Sequence, residues 1–186
     1  MGPDAGSAEG DQGIENECDM SRIDELIRHL ELKEHPEGGY FKETYRSPGI
    51  IGKAALGPDF SGDRNYSTAI YFLLTSGNFS AFHRIRQDEI WHYYEGAPIR
   101  LHILKQNGTY QEVILGRDLD NLQHYQYVVQ AGDWFASEVS EADSYSLAGC
   151  TVSPGFDFDD FEMASREELA ARYSFASDLI RRLTRF

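Results

Sequence analysis

The chain has 186 residues, enough for one domain with a sizeable core. Its formal net charge of −14 argues against a nucleic-acid backbone or an anionic membrane as the main partner. Eleven Tyr, eleven Phe and two Trp beside 17 Gly suit a β-rich fold around a lined cavity.

Residues 1–20 carry six acids (Asp4, Glu9, Asp11, Glu15, Glu17, Asp19) and no Lys or Arg. With so little apolar surface this stretch is expected to be a disordered acidic tail, leaving 21–186 as a single domain. No apolar run is long enough to span a bilayer, and the N-terminus lacks a basic-then-apolar leader layout. Cys18 and Cys150 form no CxxC motif, so a reduced, cytoplasmic protein is expected.

From Ser21, a candidate N-cap, Ile23, Leu26, Ile27 and Leu30 mark one face of a helix that His35-Pro36 and Gly38-Gly39 end. Tyr40–Arg46 alternates as a strand, with Phe41, Glu43 and Tyr45 on one face. There Glu43 is either a pocket acid or part of a mixed edge face. A Gly-rich loop leads to the buried strand Tyr66–Leu74. In Phe79–Arg86 the period of two puts Ala81, His83 and Ile85 on the inner face and Phe82, Arg84 and Arg86 on the outer. Ile90–Tyr94 follows, in which His92 faces away from Glu89. Asn107-Gly108 joins Pro98–Lys105 to Tyr110–Leu115 as a hairpin. Further strands are expected at His124–Gln130, Trp134–Ser137 and Ser144–Ser153. His102 and His124 lie on strands without a carboxylate partner at useful spacing and read as structural. Ser165 and Glu168 cap one amphipathic C-terminal helix bearing Leu169, Tyr173, Ala176, Ile180 and Leu183. Asp157, Asp159 and Asp160 lack calcium-loop spacing.

Regular short strands between turn signals indicate a sandwich or barrel. The segment Gly77–Gly96 carries Gly-x5-His-x-Ile-x3-Glu-x6-Gly, which resembles the first signature of the cupin superfamily with Ile85 in place of the second histidine. His35–Phe41, Asp88–His92 and Pro154–Phe158 are similar to the marks of one small cupin family. The resemblance implies a double-stranded β-helix, an all-β jelly roll flanked by an N-terminal and a C-terminal helix, paired as a homodimer. Gly39–Glu43 also resembles the opening strand of metal-independent nucleotide-sugar epimerases. By that resemblance Phe41 and Glu43 would contact a nucleotide and His83 would act as the base.

The expected function is therefore that of a small-molecule-binding cupin acting as a metal-independent isomerase or epimerase on a sugar or related carbonyl compound. His83 is the candidate base. Glu89 would orient it, and Tyr45, Tyr66 or Tyr93 would donate to the developing oxyanion. Trp91 and Trp134 would form walls, with Arg46 or Asn65 at the mouth. No cofactor is expected; a divalent metal, if there were one, would have His83, Glu89 and Asp143 as its ligands, Asp143 standing at the second signature's histidine position. The alternatives are a non-catalytic ligand-binding cupin and a metal-dependent cupin oxygenase.

Overall fold

The structure is a computed structural model that describes residues 22–185. The acidic segment 1–20, Cys18 and the Ser21 cap lie outside the described residues. The chain opens with helix α1 (22–29), and Glu31 at φ 53° turns it into strand β1 (Lys33–Glu34). Strands β2 (Tyr40–Arg46), β3 (Ile50–Ile51), the short helix α2 (Lys53–Leu56), β4 (Arg64–Asn65) and β5 (Thr68–Thr75) follow. Next come β6 (Phe79–Arg84), β7 (Asp88–Gly96), β8 (Ile99–Leu104) and β9 (Tyr110–Leu115). The rest is β10 (Gln126–Val129), β11 (Trp134–Val139), β12 (Tyr145–Ser153), β13 (Glu162–Met163), α3 (Arg166–Arg172) and α4 (Ser177–Arg182).

The long strands form two antiparallel sheets. One runs β1-β2-β5-β12-β7-β10 and the other β13-β6-β11-β8-β9, the arrangement of a jelly-roll barrel with flanking helices. Apart from register shifts in β2, β6 and β7, the period of two sorts the long strands between barrel interior and outer cover. On β5, Phe72 and Leu74 point inward to a core shared with Trp91, Leu101, Ile103 and Phe135. Leu73 between them points outward, where Leu26 and Leu32 cover it with Leu147 and Tyr145. On β11, Phe135 is inside, while Trp134 and Ala136 lie outside beneath Leu169, Tyr173, Ile180 and Leu183 of the C-terminal segment. Both sheets are thus buried on two faces over much of their area, so apolar residues run consecutively in Ala69–Leu74 of β5 and Trp134–Ala136 of β11.

The C-terminal segment is not the single helix that its apolar spacing predicts. Ser165 Oγ caps α3 by accepting from Glu168 N, as expected. The helix then stops at Tyr173 (φ −120°, ψ 60°), and a 3₁₀ turn over Ser174–Ala176 leads into α4. Tyr173 is 1 % exposed and its hydroxyl donates to the Lys105 carbonyl at 3.1 Å. Seating that ring against the outer sheet and continuing the helix place different demands on one residue, and the seat prevails.

A second buried anchor ties the 47–65 loop to the segment after β12. Arg64 donates from Nε and Nη2 to both oxygens of Asp160, at 2.6 and 2.7 Å, with side chains 4 % and 0 % exposed. Gln87 Nε2 adds a third bond to Asp160 at 2.6 Å. Asp160 therefore serves as a fastener rather than a calcium ligand.

Candidate functional site

At one end of the barrel lies a cavity of about 210 Å³. The six-stranded sheet supplies one wall through paired residues: Phe41 opposite Phe72, Glu43 opposite Ile70, Arg46 opposite Thr68. Cys150 and Val152 continue that wall on β12, and Glu89 joins it from β7. His83 and Ile85 face it from the other sheet, and Phe156, Asp157, Phe158 and Phe161 arch across from the segment after β12. His83 and Glu89 thus share one cavity, as their spacing implies.

The link between β1 and β2 brings two groups from a stretch that the sequence marks as a helix stop and as family-like, without a role in the site. His35 and Glu37 both line the cavity. Gly38 (φ 116°) and Gly39 (φ 74°) allow this loop to press against β6, and a Cβ on Gly38 would sit 2.1 Å from the Phe79 carbonyl oxygen. Ala81 N then donates to the Glu37 carbonyl at 2.8 Å, two residues before His83.

That docking sets up a proton-sharing pair. His83 Nδ1 lies 2.7 Å from the Ala81 carbonyl, which can only accept, so Nδ1 carries a proton. Nε2 lies 3.0 Å from Glu37 Oε2, and Ser80 Oγ donates to Glu37 Oε1 at 2.8 Å. Burial pushes the Glu37 carboxyl up and the His83 imidazolium down. Both directions favour the neutral pair, with the protonated Glu37 donating to His83 Nε2. The lone pair that would make His83 a base is therefore already taken.

Two other groups are uncommitted. Burial raises the Glu89 carboxyl to about 7, with Glu37 adding to the rise while His83 and the Cys150 thiol pull against it. Among the described residues no other protein group donates to Glu89. At His35, Glu37 N donates to Nδ1 at 3.3 Å, which leaves the proton on Nε2. Burial keeps this ring neutral. Among the described residues nothing pairs with Nε2, and the ring sits against Phe41 (4.6 Å between centroids), Phe161 and Phe158.

At the mouth, Arg46 donates through Nε and Nη2 to both Glu43 oxygens (2.8 and 2.6 Å) and through Nη1 to Asn65 Oδ1 (2.9 Å). Those side chains are 38 % and 37 % exposed for Arg46 and Glu43, against 3 % for His83. Arg46 rather than Tyr45 faces in because β2 changes register between Glu43 and Tyr45. The extra residue, Thr44, is a bulge that inverts the alternation beyond it.

Several expected site residues lie elsewhere. Tyr45 and Tyr66 are 53 % and 55 % exposed, and the Tyr66 ring lies over Gly49. Tyr93 bonds the Gly96 carbonyl and borders a separate cleft near Arg117 and Glu141. Trp91 belongs to the packed core beside Phe72 and Phe135. Trp134 lies outside the barrel, with the Arg84 guanidinium 4.5 Å above its ring. His102, read as lacking a carboxylate, in fact bonds Glu138 Oε1 at 3.0 Å and the Tyr110 hydroxyl at 2.8 Å.

The metal set expected from the signature does not assemble. Asp143 sits at φ 52° in the turn ahead of β12, at the opposite end of that strand from Val152 and Glu89. Ile85 lines the cavity where a second imidazole would stand. Among the described residues no three His, Cys, Asp or Glu side chains are disposed to hold a metal ion together. These donors do not fit a transition metal.

Ile85 and Phe161 have a second aspect. Both also border an outer cleft lined by Arg84, Arg86, Asp59 and Glu162, so they form the partition between it and the cavity.

Comparison with known proteins bears on the same surfaces. Residues 24–164 match the family model described as Cupin superfamily (DUF985). The chain belongs to this cupin family. An uncharacterized protein of Saccharomyces cerevisiae is 33 % identical over 157 residues, covering 80 % of this chain and 78 % of its own. A hypothetical protein from Leishmania major superposes with a TM-score of 0.79 at 32 % identity, over 88 % of this chain and 98 % of its own. A protein from Shewanella oneidensis gives 0.78 at 36 % identity, over 87 % and 96 %. In this cupin the three family-like stretches, His35–Phe41, Asp88–His92 and Pro154–Phe158, all deliver residues to the one cavity. Among the described residues no helix is long and apolar enough to cross a membrane.

Proposed function

We propose that this cupin binds a small carbonyl compound in the cavity and acts on it as a metal-independent isomerase, moving a proton on the carbon beside the carbonyl. The observation that carries the reading is Glu89, a carboxyl buried at the cavity wall with its pKa raised to about 7 and its oxygens unclaimed except by the Cys150 thiol. A carboxyl so tuned gives and takes protons near neutrality. The neutral His35, with Nε2–H free, is the complementary donor for an oxygen gaining charge. His83 and Glu37 act through Glu89, fixing its surroundings, so the role first expected of His83 passes to the carboxylate.

The cavity also limits the substrate. At about 210 Å³ it falls below the roughly 300–1,000 Å³ of sites for drug-sized ligands, which suits a small compound. Incubation with small carbonyl compounds in D2O tests the reading. Wild type should speed deuterium uptake beside the carbonyl and Glu89→Gln should not; equal exchange by both would reject it. Binding without exchange in the wild type would instead support the non-catalytic ligand-binding cupin.

The same proposal gives the protein a second copy of itself as partner and a cytoplasmic setting in which the free, buried Cys150 stays reduced. The outer face of the six-stranded sheet beyond α1 supports the pairing: Tyr94 and Val128 are 50 % and 42 % exposed, and Tyr71 meets Tyr94 edge-on at 6.0 Å. Light scattering on Tyr94→Lys and wild type tests it, with a monomeric wild type as the refuting result.

A further inference from the structure

We infer that the compound this cavity takes is largely apolar, an aryl or alkyl ketone rather than a polyhydroxylated sugar. The inference rests on the proton-transfer reading for its chemistry but on the lining alone for its binding. Almost every polar group within the cavity already has a partner. Glu37 holds His83 and Ser80, and His83 holds the Ala81 carbonyl. Thr68 Oγ1 accepts from Phe156 N at 2.9 Å, and Asp157 Oδ1 from Asp159 N at 2.9 Å. Arg46 and Glu43 hold each other at the mouth.

What remains free at depth is little: Glu89 as a proton carrier, with the Nε2–H of His35 and the hydroxyl proton of Thr68 as donors. The other surfaces are the rings of Phe41, Phe72, Phe156, Phe158 and Phe161 with aliphatic groups between them. The rings form a continuous set. Phe156 lies 5.0 Å from Phe158, Phe158 6.0 Å from Phe161, and Phe161 5.3 Å from the His83 ring. A sugar brings a hydroxyl on nearly every carbon. Each one left against a ring without a partner lowers affinity about tenfold. One carbonyl on a flat or aliphatic body finds a donor in this small set and places no hydroxyl against a ring.

The step balances with those groups. The Glu89 carboxylate takes the proton from the carbon beside the carbonyl. The C–H electron pair becomes the new C=C bond, and the carbonyl pair moves onto oxygen, which accepts a hydrogen bond from His35 Nε2–H. Return of a proton from Glu89 restores the ketone, and in D2O a deuteron comes back instead.

The experiment uses the full chain with three probes: phenylacetone, D-fructose and tetramethylammonium. The third is included because aromatic cages with carboxylates also hold organic cations. Ligand-observed NMR gives the affinities, and deuterium uptake gives the chemistry. Phenylacetone is expected to bind at least tenfold more tightly than either other probe, and Phe161→Ala and Phe158→Ala to weaken it. Glu89→Gln should keep phenylacetone binding and lose exchange. Fructose or tetramethylammonium binding as well as phenylacetone, or no binding of phenylacetone, would overturn the inference whatever the exchange data. Phenylacetone bound tightly with exchange no faster than in buffer would sustain the apolar ligand and reject the proton-transfer reading.

Discussion

Glu89→Gln should make this protein more stable at alkaline pH and leave it nearly unchanged in acid. Burial raises the folded-state carboxyl from the ordinary 4.5 to about 7. A raised carboxyl pKa means that the folded protein holds a proton which the unfolded chain has already released. The stabilising effect of that proton is fully present below pH 4.5 and is lost as pH rises through 7. The gap between 4.5 and 7 corresponds to about 3 kcal/mol at about 1.4 kcal/mol per pH unit. Glutamine keeps the shape without the charge and should escape the loss. Urea unfolding of both proteins at pH 4 and pH 8.5 measures it directly. The stability difference should be small at pH 4 and approach 3 kcal/mol in favour of the variant at pH 8.5. A difference independent of pH, or one that favours the wild type as pH rises, would mean that the carboxylate is welcomed in its charged form. The proton accounting of the cavity would then be wrong.

Three further outcomes follow from buried contacts. His83→Ala removes the acceptor of the Glu37 proton and should cost about 3 kcal/mol in urea unfolding, and a cost under about 1 would refute the pairing. Arg64→Met leaves Asp160 buried without its bidentate partner and should cost about 3–5 kcal/mol, with Arg64→Met/Asp160→Leu recovering most of it. Gly38→Ala drives a Cβ to 2.1 Å from the Phe79 oxygen at φ 116° and should cost about 3 kcal/mol, read as a lowered Tm. A Gly38→Ala protein as stable as wild type would mean that the 35–39 loop does not need its docked position.

The parts of this cupin legible in its sequence are those set by local periodicity. His83 and Ile85 face inward as the alternation predicts, and Glu89 arrives on the neighbouring strand at the spacing a short turn allows, but a register shift in β6 opposite Phe135 and Ser137 brings Ser80 rather than Ala81 to the side of His83. What escaped is set by contacts far apart in the chain. Glu37 meets Ser80 across 43 residues, and nothing local to His35-Pro36-Glu37-Gly38-Gly39 distinguishes a docked loop from a helix terminus. Strand alternation also fails where an outer layer covers the sheet. Trp134 and Phe135 are adjacent and both buried, and only the presence of α3 and α4 decides which ring enters the barrel. A bulge is silent for a similar reason. Thr44 has no composition that announces it, yet it exchanges Tyr45 for Arg46 at the mouth. In the Phe156–Phe161 run, aromatics alternate with acids, and an apolar ring that lines a small cavity has the same pattern in the sequence as one packed against its neighbours.

Ile85 and Phe161 border the cavity on one side and the outer cleft on the other, so these two residues stand between the chambers at that end of the jelly roll. Trimming Ile85 to alanine would merge a chamber of about 210 Å³ with a cleft of about 540 Å³ and give the barrel a back door. Guests would then arrive and depart by separate routes. Residence time would shorten while the atoms gripping the guest stayed as they are.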